Sequence, residues 1–432
     1  MIKAGLNIGN SKISCVVCDY KNFKNIKVLS LISIPSTEIK KNIIVNFSKL
    51  FEETKKLILD SEKNSQTKLH SININIPAID SLSEFYNSEI IINDEKISDL
   101  HLKKIINQSN YFNKNEDYFE AVNNIIAYEL DNKLIYSDPI GNYANKVRIF
   151  FYRLLINKKF INNILNLVEN LKLNVDNYIP SPLSSALSTL SEDEKKLGTI
   201  CIDLGHTTTS VCIFENKNFI FGDAFLVGSN NVTNDIARGV STTLTSAERL
   251  KTLYGSVISS PSDENEIIEI PIISGENNQF NQINRSTINA IIKPRIEETL
   301  EIVWQKIKQN NLHNKKIKNV VLTGGGAQLE GITEYAKAIF SSNVRIGKPL
   351  NYLNLDKKFS NSSMADIIGT VLFERANYEI KYFKKDKKNK KNPGFSGFFS
   401  WLSPALKWLH AHEFLRGSSV RCHELLSIRP HS

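Results

Sequence analysis

Apolar side chains recur at short period over Lys3–Ile8, break at Gly9-Asn10-Ser11, and resume over Lys12–Asp19. That is a strand, a turn and a second strand. Lys21-Asn22 marks another turn, and a third strand is predicted near Ile26–Ile34. The period then changes. After Asn46, a residue suited to capping, Phe47, Leu50, Phe51, Leu57 and Ile58 fall on one face of a helix. Ile72, Ile74 and Ile76 alternate over Ser71–Ile76, which predicts a further strand.

Residues 81–158 are polar and rich in Asn and Asp, with a helix pattern near Ser98–Gln108 and strand-like pieces near Ala121–Leu130 and Lys146–Leu155. They read as a small α+β insertion. Phe160–Leu171 and Pro182–Leu190 are helical patterns. The opening then repeats. Strands are predicted at Gly198–Asp203, Thr209–Phe214 and Asn218–Leu226, with turns at Gly205-His206-Thr207-Thr208 and Glu215-Asn216-Lys217. One meander used twice, each time with a glycine–polar–hydroxyl turn after its first strand, implies an internal duplication. A third glycine element follows: a strand over Asn319–Thr323, the turn Gly324-Gly325-Gly326, and a helix pattern from Gln328 to Phe340.

Those turns carry the candidate chemistry. Gly9, Asn10, Ser11 and Lys12 offer backbone N–H groups, a hydroxyl and an ammonium, a set suited to an anion, although alone they are an ordinary hairpin turn. Asp203 ends a strand next to Gly205, His206, Thr207 and Thr208; a carboxylate beside a phosphate cradle suits Mg²⁺ held partly through water. His206 reads as a turn residue, with no partner at metal-ligand spacing. Gly324, Gly325 and Gly326 leave backbone bare for a planar base or sugar, with Gln328 opening the next element. Glu248 and Lys251, three apart after a Thr/Ser cap, share a helix face and could pinch a nucleoside; otherwise they are a surface pair. Together these elements describe a nucleotide held between two related domains.

Composition narrows the function classes. The 432 residues suggest several domains. No run of 18 apolar residues predicts a membrane-spanning helix, and the start runs directly into a strand with no signal-peptide pattern. The net charge is +9, but residues 381–391 hold +6 and residues 392–432 hold +2, leaving +1 for residues 1–380. A nearly neutral body argues against nucleic-acid binding, and a basic C-terminal end argues for an anionic surface. Cys15 and Cys18 point to opposite faces of a strand, so their spacing is a poor zinc or redox site, and the cysteines read as small buried residues of a reducing compartment.

The segments GLNIGNSKI, CIDLGHTTTSV and VVLTGGGAQLEGI resemble the two phosphate motifs and the adenosine motif of the FtsA family of bacterial cell-division proteins, actin homologues. IPSPLSSALSTLSEDEKKLG and MADIIGTVLFE resemble that family's connecting helices, and NNVTNDIARGVSTTLTSAERLK also fits. The resemblance covers roughly residues 1–375. It implies an actin-like ATPase fold of two duplicated ribonuclease-H-like domains around a nucleotide cleft. The implied organisation is 1–80 with 159–195 as the first domain and 81–158 as its inserted subdomain. Residues 196–228 with 305–375 form the second domain, and 229–304 its subdomain. ATP and Mg²⁺ are the implied cofactors. Self-association into filaments, binding of the FtsZ C-terminal peptide at 229–304 with Arg295 as a contact, and recruitment of later division proteins through 81–158 are the implied partnerships. One departure stands out. The first strand ends in Asn7 where actin relatives carry a carboxylate, so Asp203 is expected to bear the metal with only an amide beside it, with weak or negligible hydrolysis.

The lysine run 381–391 lies in a polybasic linker, residues 376–394, that leads into residues 395–410. Plotted as a helix, Ser396, Ser400, Ser403 and Lys407 make a narrow polar face. Phe395, Phe398, Phe399, Trp401, Leu402, Leu406, Trp408 and Leu409 supply the apolar remainder. Such a segment lies in a bilayer interface beside anionic lipid, and the FtsA family ends in a comparable helix. Residues 411–432 read as foreign or divergent: no Asn follows Asn392 and no Lys follows Lys407, in a chain rich in both. The leading expectation is a peripheral protein on the cytoplasmic side of the inner membrane that tethers FtsZ at the division site. A PilM-like pilus assembly protein is the alternative. A phosphotransferase needs a carboxylate base that the sequence does not assign.

Overall fold

The computed structural model describes residues 1–22, 25–40, 43–109, 116–271, 280–313, 315, 317–350 and 357–374. The linker, the amphipathic helix and the divergent end expected over 376–432 lie outside the described residues.

The chain opens with strands β1 (Ile2–Ile8), β2 (Lys12–Asn22) and β3 (Asn25–Pro35). The short β4 (Ile39–Lys40) and β5 (Ile43–Ile44) lead into α1 (Phe47–Ser65), where the Asn46 side chain accepts from the Lys49 N–H as a cap. Next come β6 (Ser71–Ile76), β7 (Leu82–Lys96), α2 (Asp99–Ser109), β8 (Tyr118–Leu130), β9 (Lys133–Ile135) and β10 (Tyr143–Asn157). Then follow α3 (Lys158–Asn170), β11 (Asn174–Pro180), α4 (Ser181–Thr189) and α5 (Glu192–Leu197). The repeat is β12 (Thr199–Leu204), β13 (Thr209–Glu215) and β14 (Asn218–Phe225), followed by α6 (Ser229–Gly239), α7 (Leu244–Tyr254), β15 (Ile267–Pro271), β16 (Phe280–Asn284) and α8 (Arg285–Gln309). β17 (Asn319–Thr323), α9 (Ile332–Phe340), β18 (Asn343–Ile346) and α10 (Ala365–Leu372) complete the described body.

Two five-stranded sheets share one topology. The first runs β11-β6-β1-β2-β3 and the second β18-β17-β12-β13-β14. In each, an antiparallel meander is extended by two parallel strands on the side of its first strand. The central strands are buried along most of their length, as strands covered on both faces must be. The expected duplication is therefore a duplication of whole sheets.

Helices α4 and α10 pack against each other where the chain crosses between the sheets, α4 between β11 and β12 and α10 after β18. Their backbones touch. A Cβ on Gly369 would sit 1.8 Å from the Ser184 carbonyl oxygen, and one on Gly5 would sit 1.8 Å from Thr370 Oγ1. Ser184 and Ser188 on α4 donate to the Asp366 and Ala365 carbonyls, at 2.5 and 2.7 Å. Small hydroxyl side chains satisfy the first carbonyls of α10 and keep the gap narrow.

The stretch 81–158 forms a separate sheet, β7-β10-β8-β9, with α2 on one face. Strand β7 is absent from the hydrophobic pattern because it is an edge strand with few buried positions. Ion pairs add to its backbone ladder with β10. Glu84 and Glu89 lie directly opposite Arg153 and Arg148 of β10 and pair with them. The helix expected from Gln328 begins later, at Ile332. Gly331 takes φ +77° and stops the turn after Gly326–Gln328, so that Glu330 bridges to Ser256.

Gly369→Ala forces α4 and α10 apart and is expected to cost at least ~2 kcal/mol of stability. Urea unfolding of the variant beside the parent protein measures it; an unchanged midpoint refutes the close-packing account.

Candidate nucleotide-binding cleft

The ends of the two sheets face one another across a cleft of about 530 Å³, a size that admits a small ligand. One hairpin of each meander reaches into it. In the first, the Gly9 N–H donates to the Lys12 carbonyl at 3.0 Å. In the second, the Gly205 N–H donates to the Thr208 carbonyl at 2.9 Å, and a Cβ on Gly205 would lie 2.7 Å from that oxygen. The hairpins touch: Asn10 Nδ2 donates to Thr207 Oγ1 at 2.5 Å. Residues far apart in sequence thus close one wall of polar turn atoms, which is what a polyphosphate needs. The second hairpin is also fixed from behind, since the Ser229 and Asn230 N–H groups donate to the Gly205 and His206 carbonyls.

Asp203 sits where β12 meets the glycine turn. Ser185 of α4 donates to its carboxylate, and a Cβ on Gly324, at φ +85°, would fall 2.2 Å from Asp203 Oδ1. Glycine at 324 is therefore required twice, by backbone conformation and by space. Burial pushes the Asp203 carboxyl up to about 7, with the negative charge of Asp366 adding to it; the Ser185 hydrogen bond and Lys12 oppose the shift. Asn7 donates from its amide to Asp366. Burial likewise raises the Asp366 carboxyl.

On the opposite wall, Lys251 and Glu248 of α7 bond to each other at 2.6 Å, and Lys251 also reaches Thr233 Oγ1 at 2.9 Å. Burial opposes ionisation of Glu248, but hydrogen bonds from Lys251 and Thr233 prevail and hold it below the usual carboxylate range. Burial and the Lys251 charge lower His206, which leaves it neutral at neutral pH. Val232, Leu253, Ile296 and Leu329 give the same cavity an apolar lining, suited to a planar base.

The cleft gathers Asn7, Gly9, Asn10, Ser11, Lys12, Asp203, Gly205, His206, Thr207, Thr208, Glu248, Lys251, Gly324, Gly325, Gly326 and Gln328 into one cavity. Arg295 does not line it. It lies inside the long helix α8, directly after Pro294, and its guanidinium holds Asp235 at 2.6 Å as well as Glu298. Sequence reasoning missed Asp366, Ser185 and Thr233. Asp366 had one visible signal, a lone acid opening an otherwise apolar helix.

Among the described residues no three His, Cys, Asp or Glu form a metal-binding group. Two carboxylates and an amide nonetheless fit Mg²⁺, which keeps several waters and takes its remaining ligands from phosphate. The described cysteines are free and buried, and burial pushes the Cys15 thiol up to about 11 and the Cys18 thiol up to about 12, the reverse of a reactive site.

Three comparisons bear on the cleft. The model of the family described as "Cell division protein FtsA" matches residues 200–369. The cell division protein FtsA of Agrobacterium fabrum is 28% identical over 388 residues, 87% of each chain, and that of Escherichia coli K12 is 24% identical over 360 residues, 81% of this chain and 85% of its own. Among solved structures, a PilM–PilN type IV pilus biogenesis complex superposes with a TM-score of 0.60 at 13% identity, covering 88% of this chain and 99% of that one. MreB5 of Spiroplasma citri bound to ADP gives 0.53 at 14% identity, covering 87% and 96%. The fold is actin-like, and the resemblance to the FtsA family runs along most of the chain.

A pH effect follows for the ligand-free protein. Between pH 4 and 7 the unfolded chain has lost the Asp203 proton that the folded chain retains, so this group makes stability fall as pH rises. Asp203→Asn removes the slope. Its melting temperature relative to the parent should rise from pH 5 to pH 8 by ~2 °C or more, as read by thermal unfolding; a flat difference refutes the assignment.

Proposed function

We propose that this relative of the FtsA proteins is an actin-like nucleotide-binding protein of bacterial cell division. The observation that carries the reading is the pair of hairpins joined by Asn10 and Thr207 across one cleft, with Asp203 behind them and a bare glycine turn beside them. The relatives' names supply the cell-division role.

In this reading the hairpin amides, Ser11 and Lys12 hold the phosphates of ATP. Gly324–Gly326 and the apolar patch hold the base, and Glu248 and Lys251 exchange their mutual bond for the ribose. Mg²⁺, when bound, neutralises phosphate charge next to Asp203. No described residue is assigned as a base for water, so nucleotide serves as a held ligand with slow or negligible turnover. The protein is peripheral, on the cytoplasmic side of the inner membrane at the division site. Its basic linker and segment 395–410 attach it to anionic lipid. Residues 229–304 take the FtsZ C-terminal peptide, and Arg295 contributes only by giving up Asp235 or Glu298. Residues 81–158 serve later division proteins, and copies associate into filaments. The domain boundaries are those read from the sequence. A pilus assembly role shares the fold alone, and the amphipathic segment speaks against it.

Two measurements test this. Gly325 has ordinary backbone angles, and a Cβ there meets nothing closer than 3.9 Å, so Gly325→Leu should fill the cleft without harming the fold. A loss of ATP affinity of about tenfold or more at unchanged melting temperature is expected, and unchanged affinity refutes the base site. In co-sedimentation with anionic liposomes, ATP and Mg²⁺, FtsZ should pellet with the full chain and not with residues 1–392. FtsZ left in the supernatant beside pelleted protein discards that partner and favours the pilus reading.

A further inference from the structure

Asn7 lies at the penultimate position of β1, where the cleft begins, and it is only 9% exposed. An amide there lacks the charge that a cation in this cleft requires. Its Nδ2 donates to Asp366 Oδ2, while its Oδ1 carries no hydrogen bond among the described residues. Asp366 lines the same cleft, and its own Ile367 N–H donates to its other oxygen at 2.7 Å. The side chain is thus held from two sides, in the cavity that Asp203 and the phosphate hairpins also line.

A structural role alone explains this poorly. Capping α10 needs only a hydroxyl or an amide, and Asn361 already caps the preceding turn by that means. Placing a second carboxylate beside Asp203 in a confined cleft costs energy unless a cation offsets it. Lys12 is the nearby ammonium, but it donates to the Ser363 carbonyl at 2.8 Å, and one positive charge cannot offset two ionised carboxylates. A polyphosphate entering beside that excess is repelled unless a divalent cation comes with it.

We propose that Asp366 is a cation-site carboxylate: it supplies from α10 the negative charge that Asn7 lacks at the end of β1, so that Asp203 and Asp366 share the cation of a Mg²⁺–nucleotide complex and Asn7 steers Asp366. This rests on the nucleotide reading above and corrects the expectation that Asp203 bears the metal with only an amide beside it.

The test measures affinity of the full chain for a fluorescent ATP analogue, in Mg²⁺ and in EDTA, with ligand-free melting as a check of folding. In the parent protein Mg²⁺ should tighten binding about tenfold or more, within the range usual for linked ligands. Asp366→Asn should lose most of that gain, with affinity in EDTA equal to or better than the parent's because a repulsive charge is gone. Asn7→Asp combined with Asp366→Asn should restore the gain, since it returns the carboxylate to β1 and keeps the hydrogen bond in reversed sense; it also serves if the single variant fails to fold. Asp366→Asn with the full Mg²⁺ gain overturns the inference, as does a double variant that folds and binds without it. A parent protein binding equally in Mg²⁺ and EDTA overturns the cation inference and leaves the nucleotide reading standing. No binding in either medium overturns both.

Discussion

The contact between Gly369 and the Ser184 carbonyl governs the geometry of the cleft. Two helices that cross with no side chain between them cannot slide or rotate freely, because each backbone forms the other's wall. The serines of α4 make the contact specific. Ser184 and Ser188 satisfy the first carbonyls of α10, and Ser185, the neighbour between them, turns to Asp203. A single short run of small residues therefore sets the position of one cleft acid through its backbone and of the other through its side chain. The acids belong to different sheets' environments, yet their relation is fixed at the crossing.

That relation has an electrostatic consequence. Desolvation and mutual repulsion leave the ligand-free cleft poorly suited to hold both charges, and Asp203 retains its proton to about pH 7. The opposite wall is in the reverse condition. Lys251 and Glu248 neutralise each other and share Thr233, so they form a closed polar group. The two walls thus differ in kind, with crowded acids on one side and a satisfied ion pair on the other. The difference follows from burial and hydrogen bonding and does not depend on the cavity's shape.

Much of this was legible in the chain. Meanders show as short, nearly continuous apolar runs because their central strands are buried on both faces, and the duplicated glycine–hydroxyl turns show because only a few residue types close a tight hairpin. Asn46 announced its helix by capping chemistry that is local. What stayed hidden is long-range or electrostatic. Strand β7 is stabilised by cross-strand Glu–Arg pairs, which leave no hydrophobic signature. The start of α9 depends on one positive φ at Gly331. Arg295 read as a contact for an acidic peptide, but Asp235, sixty positions away, holds it. Asp366 sat in full view in MADIIGTVLFE as a helix residue; its role needs Asn7 and Asp203 brought beside it by β1 and β12.

The docking of residues 81–158 shows the same logic at a second place. Strand β14 is an edge of the second sheet, and an edge exposes unpaired backbone groups. Here polar side chains address it. The Tyr152 hydroxyl accepts from the Gly222 N–H at 2.9 Å, Asn124 donates to the Phe219 carbonyl at 3.1 Å, and Ser83 donates to the Gly222 carbonyl at 3.1 Å. Asn218 returns a bond to the Ile126 carbonyl at 3.0 Å. Each contact joins a side chain to main chain, so it fixes register as well as proximity, and the edge-to-face packing of Tyr152 on Phe219 closes the gap. The stretch departs from the chain after β6 and rejoins it before β11, both strands of the first sheet, so it ties that sheet to the far edge of the second. The two halves are thus joined at the α4–α10 crossing and again at β14. Any widening of the cleft about the crossing therefore strains the β14 contact as well.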